Sequence, residues 1–222
     1  MICVEHLRFA YPSDAFELRV PFFSVNPGER IALIGPSGCG KTTLMNLISG
    51  VLVPDEGRIE VDGVTLSSAA LTMRQAFRLA RIGLVPQDFE LLDYLTVREN
   101  ILLPFRLGAS SGAGEIAGAR ARELAERAGI AAHLGRFPAQ LSQGERQRAA
   151  LCRGLVTSPR LILADEPTGN LDPENQDRIV ALLLEEAGHL GATVLMITHD
   201  PILLPRFDRV VDVLELRRGG GA

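Results

Sequence analysis

Residues 2–9 and 16–25 alternate apolar and polar side chains with the two-residue period of strands that bury one face. A third alternating stretch covers 57–63, and turn signals stand between the three at Tyr11-Pro12-Ser13-Asp14, Asn26-Pro27-Gly28 and Pro54-Asp55-Glu56-Gly57. Together they predict an antiparallel β layer. Four further runs, 31–34, 82–85, 161–164 and 193–197, are short and almost wholly apolar, as strands buried on both faces of a parallel sheet would be. Residues 43–48 read as a helix with Gly50 placed to end it. Between Gln87 and Leu141 the pattern turns helical, with one helix starting at 96–100 and another over 115–129, joined by the glycine-rich stretch from Gly108 to Gly114. The expected organisation is one α/β domain over 1–222. Its core and antiparallel layer come from 1–86 and about 156–215, its helical subdomain from about 87–155, and 216–222 form a disordered tail.

Chemistry enters between the strand at 31–34 and the helix that follows it. Gly35, Pro36, Ser37, Gly38, Cys39, Gly40, Lys41 and Thr42 fit G-x-x-x-x-G-K-[ST], a loop whose backbone N–H groups cradle phosphate oxygens at a helix N-terminus. Lys41 is the only lysine among 23 basic residues. A compact ammonium on a flexible stem reaches the β and γ oxygens, where a planar guanidinium fits poorly. Thr42 would give its hydroxyl to Mg²⁺, and Thr43 continues the contact into the helix. This loop makes the α/β core a P-loop nucleotide-binding core, and the ligand a nucleoside triphosphate.

Composition narrows the class. Hydrophobic residues make up 46% of the chain and mean hydropathy is +0.16, yet no apolar stretch reaches the ~18 residues of a membrane helix. The N-terminus has neither a basic nor an apolar leader segment. A net charge of −4 argues against nucleic acid as the main partner. Cys3, Cys39 and Cys152 are too few and too scattered for a disulfide framework or a zinc site. Cys39 has two readings, a thiol activated by an electropositive loop or an inert small filler.

Three of the buried runs end in polar residues: Gln87, then Asp165 and Glu166, then His199. In α/β sheets ligands bind beyond the carboxyl ends of the strands, so these groups should converge on one site. Asp165 would hold Mg²⁺ through water and Glu166 would polarise the attacking water as general base. Leu141, Ser142, Gln143, Gly144 and Glu145 precede a basic helix, and Ser142 with Glu145 also fits a capping box. Asp172 before Pro173 reads as a helix N-cap. His6, His133 and His189 have no motif around them, so packing is their default reading.

In order and spacing, the phosphate loop, Gln87, the pentad at 141–145, Asp165-Glu166, Gly169-Asn170-Leu171-Asp172 and His199 resemble the ATP-binding subunit of an ABC transporter, from the first strand to about residue 215. The resemblance implies roles. Tyr11, otherwise a plain turn residue, would stack on adenine. Gln87 would touch Mg²⁺ and the attacking water. Ser142 and Gly144 would contact the γ-phosphate of an ATP held by a second copy in a head-to-tail homodimer. Asp172 would lie at the dimer interface, and His199 would contact the γ-phosphate. The pentad departs from the usual Leu-Ser-Gly-Gly-Gln at Gln143 and Glu145, which implies altered dimer affinity. Cys152-Arg153-Gly154 stands where Ala-Arg-Ala is more familiar, and Gly154 inside a helix costs about 1 kcal/mol relative to Ala.

The stretch 138–172 is similar to the subgroup serving lipoprotein release, macrolide and peptide efflux and cell-division permeases. That likeness implies a cytoplasmic subunit, peripheral on the membrane through a separate transmembrane permease docked near 89–96. Residues 91–95 would then be exposed for docking, or else packed in the core. A non-transport regulator of cell division or cell wall would show the same ATP chemistry. A DNA-maintenance ATPase would need a long coiled coil between Gln87 and Leu141, and the interval is too short for one.

Overall fold

The computed structural model describes residues 1–12, 16–108, 114–169 and 173–219, with side chains from 176 onward in the last stretch. In chain order the elements are β1 (Ile2–Ala10), β2 (Glu17–Val25), β3 (Arg30–Ile34), α1 (Lys41–Ile48), β4 (Glu56–Val61), β5 (Val64–Thr65), α2 (Leu71–Arg81), β6 (Ile82–Val85), α3 (Val97–Ile101), α4 (Leu103–Leu107), α5 (Gly114–Arg127), α6 (Gln143–Leu155), β7 (Leu161–Asp165), α7 (Pro173–Leu190), β8 (Thr193–Ile197), β9 (Arg209–Asp212) and α8 (Val213–Arg217). They gather into two compact units, Met1–Arg78 with the chain from Thr193 onward, and Leu79–Ala192. The helical stretch expected at about 87–155 is therefore part of a larger unit that also holds two strands and α7. Asp172 and residues 109–113 of the glycine-rich join lie outside the described residues.

In the first unit the antiparallel layer has the order β2-β1-β4-β5. Its alternation slips once. Ile2 and Val4 are buried, then Leu7 and Phe9, three residues apart across the break, because His6 sits at φ 48 and β1 shifts register against β4 between Glu5 and Arg8. The same unit pairs β3 in parallel with β8, from Arg30↔Val194 to Leu33↔Ile197, and with β9, from Ile31↔Arg209 to Ile34↔Asp212. Ile31, Ala32 and Leu33 are fully buried, as an uninterrupted apolar run should be.

Helix α1 follows β3, and the carbonyls just past its far end are met by arginines of α2. Arg74 donates to Gly50 O at 2.8 Å and to Ala69 O at 3.2 Å, and Arg78 donates to Ser49 O at 3.3 Å. Cations at a helix C-terminus complement its dipole, so the pair anchors the helix whose other end carries the phosphate loop. Arg74 is buried while Leu71 and Met73 of α2 are exposed, an inversion of the usual amphipathic order. Arg74→Met, which keeps the stem but leaves Gly50 O without its charged donor, is expected to destabilise the protein by about 2 kcal/mol in a urea titration.

The tail expected to be disordered over 216–222 is ordered at its start, and residues 220–222 lie outside the described residues. Leu216 is buried within α8, and Arg217 donates to Glu17 O at 2.8 Å with its guanidinium 5.7 Å from the Phe16 ring centroid. An apolar contact and a hydrogen bond to β2 outweigh the chain entropy that a terminal Arg-Arg-Gly-Gly composition suggests.

In the second unit β6 and β7 pair in parallel, Ile82↔Leu161 to Val85↔Ala164, and α6 packs on β6. The contact is backbone to backbone. A Cβ on Gly83 would stand 2.3 Å from Gly154 O, and one on Gly154 would stand 2.8 Å from Leu84 O. The helix-propensity penalty of Gly154 therefore goes with a close approach that alanine would prevent.

Candidate functional site

The first unit supplies the phosphate loop. Gly35 (φ 141) and Gly40 (φ 106) lie in the left-handed region, and neither has room for a side chain. A Cβ on Gly35 would meet Cys39 Sγ at 2.8 Å, and one on Gly40 would meet Phe16 Cζ at 2.8 Å. Lys41 Nζ donates to Gly35 O at 2.7 Å and Pro36 O at 3.0 Å, which holds the ammonium over the loop. Gly40 caps α1 without a side-chain bond, and the first turn of α1 has no acidic residue, so its N–H groups are left for an anion. Pro36, Ser37, Gly38 and Thr42 are exposed, whereas Cys39 is buried at 5% exposure beneath Gly35. Burial favours Cys39 as a packing filler over an accessible reactive thiol.

Four more residues of this unit bear on the loop region. Tyr11 packs edge-on against Phe9, centroids 4.9 Å apart, and its hydroxyl lies 3.3 Å from Thr43 Oγ1. The Leu33↔Ile197 pairing brings the chain out of β8 toward His199 at the end of the sheet where β3 enters the loop. His199 is exposed there. Asp212 was not singled out by the sequence. It ends β9, accepts from Leu214 N at 2.8 Å, and its Oδ1 would lie 3.3 Å from a Cβ on Gly35. Phe16, the wall against Gly40, was likewise read only as a strand residue.

The second unit carries the acids and the pentad. Because β6 and β7 run parallel, exposed Gln87 and the pair Asp165-Glu166 leave the sheet at the same end. Glu166 sits at φ 42, a left-handed conformation for a non-glycine residue, and its carbonyl accepts from Gly169 N at 3.0 Å. Strained backbone of this kind clusters at reactive positions. Leu91, Leu92 and Leu95 are half-buried and Tyr94 is 75% exposed, so the 91–95 run is split between packing and surface.

Ser142 is the N-cap of α6 and the capping box is complete. Ser142 Oγ accepts from Glu145 N at 3.3 Å, and Glu145 Oε2 accepts from Ser142 N at 2.7 Å and Ser142 Oγ at 2.8 Å. The second carboxylate oxygen of Glu145 faces His133 Nε2 at 3.1 Å, a partner no motif announced. Ser142 and Gln143 remain exposed, and Gly144 is half-buried. The Ser142 backbone N–H, then its hydroxyl, hold the Glu145 carboxyl below the usual carboxylate range, with smaller help from His133 and Arg148. A depressed folded-state pKa contributes stability that is complete above the ordinary carboxylate value and is lost as pH falls through the folded value. Wild type is therefore expected to lose more of its urea midpoint than Glu145→Gln between about pH 5 and pH 3, and equal slopes would refute the assignment.

The loop fits a triphosphate on its own geometry. Among the described residues no group of three or more His, Cys, Asp or Glu could hold a metal ion. No described helix is long and apolar enough to cross a membrane.

A family model described as "ABC transporter" matches residues 18–169. The lipoprotein-releasing system ATP-binding protein LolD of Cereibacter sphaeroides is 40% identical over 215 residues, 95% of each chain. The methionine import ATP-binding protein MetN of Caulobacter vibrioides is also 40% identical, over 88% of this chain and 58% of its own length. Among solved structures, the dimeric post-hydrolysis state of the ATP-binding cassette MJ0796 bound to ADP and Pi superimposes with a TM-score of 0.87 at 30% identity, covering 96% of this chain and 94% of that one.

Proposed function

The chain belongs to the ABC transporter family and is an ATP-binding, ATP-hydrolysing subunit of that family; from that premise we propose that two copies close head to tail around two ATP molecules to drive a separate membrane permease. The observation that carries this reading is Ser142, exposed at the N-terminus of α6 and held in place by Glu145. A single-chain phosphate-loop enzyme has no use for such a presented helix end, whereas a second copy's γ-phosphate is an anion it would bind. The dimeric cassette neighbour supports the same arrangement.

In this scheme Lys41 and the N–H groups of the loop bind the β- and γ-phosphates, and Tyr11 stacks on the adenine. Ser142 and Gly144 of the facing copy, flanked by Gln143 and Glu145, complete the γ-phosphate site, and Asp172 lies at the dimer interface. Glu166 takes the proton of the attacking water, and Gln87 and His199 orient that water and the γ-phosphate. Thr42, Gln87 and Asp165 would hold Mg²⁺, which neutralises charge on the β and γ oxygens. A nucleotide that bridges two copies makes closure depend on ATP and reopening on its hydrolysis.

The subunit sits on the cytoplasmic face of the membrane through its permease, and nucleic acid has no part in the scheme. The LolD likeness supports export, lipoprotein release or mechanotransmission as the work done, and equal identity to a methionine importer leaves the cargo to the permease. The test is capture from detergent-solubilised host membranes with Glu166→Gln protein and Mg-ATP. A co-purifying permease with a large external domain is the expected result. Recovery of only soluble division, cell-wall or DNA-associated proteins would overturn the transport reading and leave the ATP chemistry intact.

A further inference from the structure

Phe89 (φ 61) and Glu90 (φ 48) are consecutive non-glycine residues in the left-handed region, two and three positions after Gln87. Such a conformation is disfavoured for each L side chain, so a pair of them persists only where the surroundings hold it. The turn is tight, with Glu90 N donating to Asp88 O at 2.6 Å.

What holds it comes from α6. Arg153 donates from Nη2 to Phe89 O at 2.6 Å and from Nη1 to Glu90 O at 2.5 Å, so one guanidinium gathers the carbonyls of both strained residues. Arg146, earlier on the same helix, places its guanidinium 5.9 Å from the Phe89 ring centroid. Arg153 is half-buried, and burial lowers its pKa. A cation kept partly out of water, with the Glu90 charge as its electrostatic support, still spends both terminal nitrogens on two backbone carbonyls, which points to a structural demand there.

We propose that Arg153 is a positioning residue for ATP hydrolysis: its two-carbonyl clamp, backed by Arg146 on Phe89, keeps the strained turn closed and thereby fixes Gln87 relative to the helix that begins at Ser142. The proposal rests on the role given to Gln87 above. The planar fork of arginine meets two acceptors at once, which a lysine ammonium on a flexible stem does not reproduce. Relaxation of the turn displaces Gln87, and a shift of about 1 Å in a group that orients the reacting water can reduce turnover about a hundredfold.

The test compares full-length wild type, Arg153→Lys, Glu90→Gly and the double variant, with Gln87→Ala as reference. Arg153→Lys is expected to speed amide hydrogen exchange at residues 87–91. Its kcat should fall by about tenfold or more while KM for ATP moves less than about threefold. Glu90→Gly, which adopts a left-handed conformation freely, is expected to return part of the lost kcat in the Arg153→Lys background. A side chain that merely packed α6 would show no such rescue. Unchanged exchange at 87–91 in Arg153→Lys, or no recovery in the double variant, overturns the proposal. The exchange measurement needs no turnover, so it reads the clamp even where Gln87→Ala keeps full kcat and the role of Gln87 itself falls.

Discussion

Glu166→Gln protein is expected to bind ATP with near wild-type affinity and to hydrolyse it about a thousandfold more slowly, within the range lost when a general base is removed. The substitution keeps the shape of the side chain but replaces one accepting carboxylate oxygen with a donating NH2 group, which removes the charge and the basicity. The strained φ of 42 at this position, closed by the Gly169 N–H on the Glu166 carbonyl, is set by the backbone and survives the change. Binding is left intact because the phosphate-holding groups, the loop N–H donors and Lys41, lie elsewhere in the sequence. With closure permitted and hydrolysis blocked, the homodimer should accumulate in Mg-ATP and dissociate in ADP. Lys41→Ala provides the opposite phenotype, loss of nucleotide binding itself, since no other lysine exists to replace it. Single-turnover phosphate release with equilibrium nucleotide binding separates the two. More than a tenth of wild-type turnover in Glu166→Gln would place the general base on another residue.

Glu186→Ala is expected to destabilise the protein by about 3 kcal/mol, at the lower edge of what breaking a buried ion pair costs. The Glu186 side chain on α7 is fully buried and is held from α5 by two guanidiniums, Arg120 at 2.6 Å and Arg127. Truncation leaves both cations without their shared acceptor. They remain 19% and 27% exposed and can turn toward water, which is why the lower edge applies. Their second partners, Glu123 for Arg120 and Glu185 for Arg127, are mostly exposed and compensate little. In a protein of this size each kcal/mol lowers Tm by about 2–4 °C. Replacing all three charged residues by apolar ones of similar volume should recover much of the loss, because the desolvation penalty of the triad goes with its attraction. Calorimetry on the single and triple variants checks both statements, and a Tm unchanged by Glu186→Ala would show the triad to be neutral.

The phosphate loop, the acids at the end of β7 and the capping box at Ser142 were readable because each depends on residue types at fixed short spacing. A left-handed glycine, a cap or a strand end announces itself within a few residues. The same holds for Thr96 and Glu99, whose reciprocal capping box starts α3 where the sequence placed a helix. β9 and α8 gave no such signal, since a four-residue strand and a five-residue helix carry too few positions to show a period. Leu216 belongs with them: in sequence it borders a glycine tail, in space it is buried.

Short-range patterns were enough to read an ATP-binding, ATP-hydrolysing chain, a phosphate-loop signature at 35–42 and two acids where the apolar run 161–164 ends, because those signals are local. Which charges are buried, and what they hold, follows from packing between distant segments. Glu186 reads as one more polar helix position until α5, 66 residues earlier, brings Arg120 to it. Arg153 reads as one cation of a basic helix until it reaches back 64 residues to the strained carbonyl of Phe89. A buried charge is stable only with partners, and those partners are distant in sequence and adjacent only after folding.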